Sequence, residues 1–313
     1  MPQANGLVLA VVSAATFGSS GALAASLLRA GWTPGAAVTA RIVVAALVLT
    51  LPAVLALRGR WAELRSGART VTAYGLVAVT TAQLCFFQAV SHLSVGVALL
   101  LEYLGTVLVV LWLWVRHGRA PRRTTVAGGA VAVAGLVLVL DLLGEHRLDV
   151  VGVLWGLGAA VGLATYFVLS AAQQDALPPL VVAWAGMCVG AIGLLLAAGV
   201  GVLRVRAPLH DVVLLHTRTS WLVPVLGLSL VAAVVAYVSG IVAARLLGAT
   251  VSSFVGLTEV LFAVLFAWLL LGQVPTPGQA AGGLLVVAGV AVVRLDEVRS
   301  GTAVAPVPVA VDA

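Results

Sequence analysis

The sequence predicts an all-α membrane protein with ten transmembrane helices, built as two inverted repeats of five helices each. Three features predict it: the composition, the length of the apolar segments and an internal repeat. Of the 313 residues, 62% are hydrophobic and only 9% are charged, whereas a soluble domain has about 25% charged residues. Such a chain cannot cover a globular surface with polar groups, so we expect it to lie in a lipid bilayer.

Ten segments approach the roughly 20 apolar residues that a helix needs to cross a bilayer. They cover residues 6–28, 35–57, 70–90, 93–115, 124–142, 150–172, 178–200, 221–244, 249–271 and 277–294. The first segment has no basic residue before Arg29, so we interpret it as a retained span rather than a signal peptide. Residues 300–313 are rich in Ala, Val and Pro, which predicts a disordered cytoplasmic tail.

All 17 basic residues are arginine, and their distribution predicts the orientation. With the N-terminus inside, eleven arginines fall on the inner side, namely 58, 60, 65, 69, 116, 119, 122, 123, 245, 294 and 299, and five fall outside, namely 29, 147, 204, 206 and 218. This bias predicts a multi-pass protein of the cell membrane with both termini in the cytoplasm. The exception to this inside bias of arginine is loop 201–220, which places three arginines on the outer side.

A shift of the chain by 154 residues places 93–140 on 247–294 without a gap. Trp114 then falls on Trp268, Gly118 on Gly272, Pro121 on Pro275, Gly128-Gly129 on Gly282-Gly283 and Ala134-Gly135 on Ala288-Gly289. We therefore divide the chain into a first repeat (1–145), a second repeat (146–299) and the tail (300–313). Because each repeat holds an odd number of spans, the second is inverted relative to the first, which is typical of secondary transporters.

Two carboxylates lie inside apolar spans, Glu102 and Glu259. Ionisable groups at membrane depth are costly and usually face a bundle interior or a wet cavity. Helical spacing puts each acid on a face of small residues, and Ser252 shares the face of Glu259. Either the acids bind a substrate ammonium or a coupling proton, or they satisfy neighbouring polar groups. Glu259 aligns with Gly105 rather than with Glu102, so each acid can have its own role.

The surroundings of the two acids carry a family resemblance. The segments Leu100–Gly105 and Leu257–Gly272 resemble EamA-type members of the drug/metabolite transporter superfamily, with repeats over about 6–142 and 150–294. The first segment is similar to the branch of threonine/homoserine exporters. The resemblance implies a cytoplasmic-membrane carrier that exports amino acids or related metabolites. The family often has proline soon after each motif acid, where this chain has Thr106 and Val260.

Other polar and aromatic residues are candidates for the same site. Arg41, in the second span, would clamp a substrate carboxylate, pair with an acid or extend to lipid headgroups. Thr16 and Ser20 either bind a ligand or bond their own helix. Gln83 aligns with Tyr237 under the 154-residue shift, so we expect both to face one cavity. The remaining candidates for the cavity lining, with packing as the alternative role, are Tyr103, Tyr166 and Trp184.

These features favour a secondary carrier that exports a small metabolite, either an amino acid or a related zwitterion, by alternating access. The alternatives are a channel or facilitator for small solutes, or a membrane enzyme or lipid-handling protein. We expect no enzymatic activity, since His, Asp and Ser residues do not cluster at one membrane face, and no ATP hydrolysis, since the chain lacks a Gly-x-x-x-x-Gly-Lys-Ser/Thr motif. The expected partners are the substrate, the bilayer and, for a coupled carrier, a proton, without a cofactor, metal or nucleic acid. The sequence leaves monomer and homodimer open.

Overall fold

In the computed structural model, which describes residues 2–93, 95–118, 120–139, 149–171, 177–214, 217–272 and 274–300, nearly all regular structure is helical. The helices are α1 (Pro2–Arg29), α2 (Pro34–Ala56), α3 (Trp61–Ser66), α4 (Ala68–Ala73), α5 (Ala82–His92), α6 (Val95–Tyr103), α7 (Gly105–His117), α8 (Arg123–Val139), α9 (Val150–Ala171), α10 (Pro179–Gly199), α11 (Leu222–Leu226), α12 (Ala236–Gly256), α13 (Glu259–Leu271) and α14 (Pro277–Ser300). Two π-helical stretches, Tyr74–Thr81 and Gly227–Val235, join α4 to α5 and α11 to α12.

Seven helical segments of the described chain are long and apolar enough to cross a membrane. They cover 4–29, 34–56, 68–90, 98–116, 150–171, 179–199 and 222–256, and three shorter apolar helices cover 123–139, 259–270 and 277–293. Each of the ten predicted segments is therefore helical over most of its length, and the chain is a multi-pass membrane protein. The tail predicted over 300–313 lies outside the described residues, apart from Ser300, which ends α14.

The helices that carry the two acids are interrupted beside them. A tightened turn at Leu104, which bonds to both Leu100 and Leu101, separates α6 from α7. Leu257 and Thr258 separate α12 from α13 through hydrogen bonds to the residues three positions earlier. Such short-range bonds mark a local 3₁₀ turn. The two interruptions fall at matching positions of the 154-residue repeat, and they form without proline.

Other matching positions also have matching structure. The π-helical stretches begin at Tyr74 and Gly227, within one residue of repeat equivalence. Gly118 and Gly272 both adopt the left-handed conformation that ends a helix, with φ of 66° and 72°. Thus the repeat in the sequence extends to the places where the helices deviate from regular geometry.

Helices α8 and α14 pack through two pairs of repeat-equivalent glycines. A Cβ atom on Gly135 would lie 2.6 Å from the carbonyl oxygen of Gly282, and one on Gly289 would lie 2.5 Å from that of Gly128. The start of each helix therefore contacts the end of the other, so the helices run antiparallel. Only glycine allows backbones to approach this closely.

The long loop between α10 and α11, described over 200–214 and 217–221, packs against the helix bundle. It contains a hairpin absent from the sequence prediction, in which β1 (Val212–Leu214) pairs antiparallel with β2 (Thr217–Thr219). The loop binds the α1–α2 turn, where Trp32 Nε1 donates to the Pro208 carbonyl at 2.8 Å. The Thr33 hydroxyl group donates to the Arg204 carbonyl at 2.9 Å and accepts from the Arg206 amide at 3.0 Å. We call the end of the bundle that holds this turn the α1–α2 end.

An exposed side-chain hydrogen bond connects α5 to the start of α9. The Nδ1 atom of His92 lies 2.7 Å from Asp149 Oδ2, and Asp149 Oδ1 accepts a hydrogen bond from the Val151 amide at 3.0 Å. The bond from Val151, and then the contact with His92, hold the pKa of the Asp149 carboxyl group below its usual value. This carboxylate therefore caps α9 and ties it to α5.

Candidate functional site

One cavity of about 450 Å³ lies among α1, α2, α5, α6, α9, α12 and α13. It extends from Leu28 and Pro34 at the α1–α2 end to Ala10 and Ala243, deeper in the bundle. Nine of the eleven predicted site residues line it: Ser20, Arg41, Gln83, Glu102, Tyr103, Tyr166, Tyr237, Ser252 and Glu259. Both repeats contribute, so the structure brings together side chains that are far apart in the sequence.

The two acids reach the cavity from the interrupted helices. Glu102 is the second-to-last residue of α6, and Glu259 is the first residue of α13. Both side chains are half-buried, in keeping with their place in the cavity lining. Glycines allow neighbouring helices to press against the interruptions, since a Cβ on Gly18 would lie 2.7 Å from the Glu259 carbonyl oxygen and one on Gly105 would lie 2.7 Å from that of Ala160. The acids are thus held on well-packed backbone.

The two carboxylates have different neighbours. The Tyr103 hydroxyl group lies beside the Glu259 carboxyl group. Glu102 has no side-chain hydrogen-bond donor among the described residues, and its charged neighbours are Glu259 and Arg41.

Arg41 is the cation of the cavity lining, and it is 7% exposed. Its Nη2 donates to the Ala232 carbonyl at 2.7 Å, and its guanidinium carbon lies 5.7 Å from the centroid of the Phe17 ring. Nε is buried without a partner. Although Glu102, Glu259 and Tyr237 are all near enough to influence it, no ion pair within 4 Å joins Arg41 to either acid in the described part of the chain. The opposite charges are therefore held apart.

Aromatic rings form much of the cavity wall. Phe17 packs edge-on against Tyr237 with ring centroids 5.1 Å apart, and Tyr166 packs against Tyr237 at 5.6 Å and Phe167 at 5.0 Å. The Tyr166 hydroxyl group is buried without a hydrogen-bond partner and contacts Gly240. Phe86 and Phe87 continue the wall on α5. The cavity is consequently mainly apolar, with a few charged groups.

Gln83 and Tyr237 line the cavity from equivalent positions of the two repeats. Their side chains are close neighbours in the cavity wall. Ser252, on α12, also lines the cavity, and its hydroxyl group is buried without a partner. Ser20 lines the cavity from α1.

Two predicted residues do not line the cavity. The Thr16 hydroxyl group donates to the carbonyl of Val12 at 2.7 Å, within its own helix. Trp184 lies on α10, where its Nε1 donates to Thr50 Oγ1 on α2 at 3.0 Å. The hydrogen-bonding groups of these two residues are therefore engaged within the helix bundle, and a role for them in the site stays a prediction.

Sequence reasoning did not select the phenylalanines of the cavity, namely Phe17, Phe86, Phe87 and Phe167. A phenylalanine inside an apolar span carries no signal that separates a cavity wall from a packing contact. For Phe17, the spacing of four residues from Ser13, which also lines the cavity, would have placed it on the same face of α1.

The fold and the cavity define a polytopic helical membrane protein with a charged site inside the bundle. The model of the EamA-like transporter family matches residues 4–141 and again 150–295. The chain therefore belongs to the EamA-like transporter family, a family of transporters, and it carries two copies of the family's repeat.

Among solved structures, one crystal structure described only as that of a protein is similar in fold. It matches with a TM-score of 0.69 and 21% sequence identity, over 94% of this chain and 96% of that chain. An identity this low shows the fold alone. No curated protein matches the chain.

Proposed function

We propose that the protein is a secondary carrier that exports an amino acid or related zwitterion across the cell membrane by alternating access. One observation carries the proposal: one cavity lined by both repeats gathers the guanidinium of Arg41 and two carboxylates, each of which lies beside a tightened helical turn. Binding sites of secondary transporters are typically built from discontinuous helices at a repeat interface. Membership of a transporter family agrees with this use of the cavity.

The chemistry of the lining favours a zwitterion. The acids can receive an ammonium group, and the guanidinium of Arg41 can receive a carboxylate through the donors that Ala232 does not occupy. The aromatic walls can bury an apolar side chain. Threonine and homoserine are candidate substrates because of the resemblance of Leu100–Gly105, and larger apolar amino acids are candidates because of the phenylalanines.

Ten spans in two inverted repeats belong to the same proposal. The antiparallel contact of α8 with α14 through repeat-equivalent glycines supports it, since equivalent helices that run in opposite directions require inversion. The matching helix interruptions support it as well. With both termini in the cytoplasm, as the arginine distribution predicts, the α1–α2 end would face outward.

The test is transport by the purified protein in liposomes. Vesicles preloaded with threonine, homoserine, leucine or phenylalanine would be diluted into a trace of the same labelled amino acid, with and without a pH gradient. Saturable counterflow of at least one amino acid is expected, and its loss in the variant Glu259→Gln would tie it to the cavity. The matched control is Glu63→Gln, which removes a surface carboxylate on α3 that pairs with Arg60.

Two results would contradict the proposal. Absence of saturable exchange for every amino acid tested would remove the amino-acid assignment. Flux that rises linearly with concentration and shows no counterflow would indicate a channel or facilitator instead.

A further inference from the structure

We propose that the loop between α10 and α11 binds anionic phospholipids at the membrane surface, through arginines that lie beside exposed apolar side chains. The inference goes beyond the proposed carrier function and does not depend on it. It also gives a role to the three arginines of residues 201–220, which are the exception to the inside bias of arginine.

Both ends of the loop are attached to apolar helix ends. Leu196 near the end of α10 is exposed, as are Leu222 and Val223 at the start of α11. Exposed apolar residues on membrane-spanning helices mark the surface that meets lipid. Trp32 and Trp221 pack together beside the loop with ring centroids 5.8 Å apart, and tryptophan is enriched at the level of the lipid headgroups. The loop therefore begins and ends where the helices leave the apolar part of the bilayer.

The hairpin of the loop has one face against the bundle and one face outward. Val212 and Leu214 are buried, and Val212 packs in the apolar cluster that contains Trp32. Val213 pairs with Arg218 across the hairpin, and directly paired residues of two antiparallel strands project from the same face. Val213 is 58% exposed, and Arg218 is exposed too. The outward face thus places an apolar side chain next to a guanidinium group.

The segment that leads to the hairpin combines the same two kinds of side chain. Arg204 and Arg206 are exposed, Val205 between them is 50% exposed, and Leu209 is 69% exposed. The backbone of the two arginines holds the segment in place, since the Arg204 carbonyl and the Arg206 amide bond to the Thr33 hydroxyl group. Their side chains are therefore not needed to anchor the loop.

The charge of the loop selects an anionic ligand. Residues 201–220 contain one carboxylate, Asp211, against three arginines. In the described part of the chain, no carboxylate lies within 4 Å of any of these three guanidinium groups. Guanidinium groups bind phosphate oxygens through paired donors. A lipid satisfies both kinds of side chain, because its phosphate meets the arginines while the apolar side chains enter the boundary of the acyl chains.

Fluorescence quenching at the hairpin tests the proposal. Val213→Cys is introduced into protein in which Cys85 and Cys188 are replaced by alanine, and the thiol is labelled with bimane. The labelled protein is reconstituted into bilayers that contain either spin-labelled phosphatidylglycerol or spin-labelled phosphatidylcholine at the same mole fraction. We expect both lipids to quench the label, and the anionic lipid to be enriched beside it roughly five-fold, the effect of about one arginine at an anionic surface.

Two triple variants of the labelled protein test the role of the arginines. The preference for phosphatidylglycerol should disappear when the loop arginines are replaced in Arg204→Gln/Arg206→Gln/Arg218→Gln. The matched control removes three exposed arginines that follow the other end of α2, Arg58→Gln/Arg65→Gln/Arg69→Gln, and it should retain the preference. Should the loop variant fail to fold, Arg218→Gln alone removes the guanidinium beside the label and should reduce the preference.

Three results would overturn the proposal. Absence of quenching by both lipids would show that the hairpin does not meet the bilayer. Equal quenching by the two lipids would show that the loop does not recognise the headgroup charge. A preference that survives loss of the loop arginines, or that disappears equally in the control, would show that these arginines do not bind the lipid. Because the measurement requires no substrate, its outcome is independent of the transport assay.

Discussion

Gly135 and Gly282 contact each other reciprocally: a Cβ atom on either glycine would lie 2.6 Å from the carbonyl oxygen of the other. A side chain at either position must therefore separate α8 from α14. We expect Gly135→Ala to lower the free energy of unfolding by about 1–3 kcal/mol, the usual effect of overpacking a tight contact. Thermal unfolding of the purified protein measures this loss.

The matched control for that substitution is Gly199→Ala. Gly199 ends α10, and a Cβ atom there would have no neighbour within 4 Å. Equal melting temperatures for the two variants would show that α8 and α14 do not depend on this contact.

Substitution of Glu259 by glutamine should weaken substrate binding strongly. It removes the charge that receives the ammonium group and alters the interaction with Tyr103. A hydrogen bond to a charged group contributes about 1.5–3 kcal/mol, so the apparent affinity should fall roughly 10–100-fold. Concentration-dependent counterflow in liposomes measures it. An unchanged half-saturation concentration, with Glu63→Gln as the reference, would place the ammonium group elsewhere.

Glu102 is a candidate for the group that binds a coupling proton, and in that role Glu102→Gln should separate exchange from coupling. Without a titratable group at this position, an outside-acid gradient should no longer drive net export, while counterflow of the amino acid should persist. Export into acidic and neutral external buffer, measured beside counterflow on the same vesicles, provides both readings. If the variant still exports faster into the acidic buffer, the coupling proton resides on another group.

Thr33 is expected to stabilise the α1–α2 end. Its hydroxyl oxygen accepts from the Ala36 amide at 3.3 Å, which caps α2, and it also bonds the loop between α10 and α11 through Arg204 and Arg206. Thr33→Val should therefore lower the free energy of unfolding by about 1–2 kcal/mol, as loss of a helix cap does. Thr33→Ser keeps the hydroxyl group and should melt close to the wild type. Similar losses in both variants would point to the methyl group instead.

The Asp149–His92 pair should make stability depend on acid pH. The pKa of Asp149 lies below its usual value of 3.8, so this carboxylate stabilises the fold above that pH and ceases to do so as the pH falls through its folded pKa. Asp149→Asn should therefore melt below the wild type at neutral pH, and the gap should narrow in acid. Melting curves over a pH series test this, and a gap that is constant with pH would contradict it.

The sequence alone determined the class of protein, the helices and the repeat. Apolar composition required a bilayer, and a bilayer requires that backbone groups be satisfied within helices. The cost of an ionisable group at membrane depth was enough to select Glu102, Glu259 and Arg41, and all three line the cavity. These inferences depend on the chemistry of each residue and on the apolar surroundings that the composition implies. Both can be read from the sequence.

Only the tertiary structure decided which faces meet the cavity and where the helices are interrupted. Thr16 and Trp184 carry the same kinds of polar group as Ser20 and Tyr237, yet each has a partner away from the cavity. The turn at Leu104 forms without proline, beside the close contact of Gly105 with Ala160 on α9. The physical reason is that spacing fixes the face of a helix on which a residue lies, whereas packing against distant segments fixes what that face contacts.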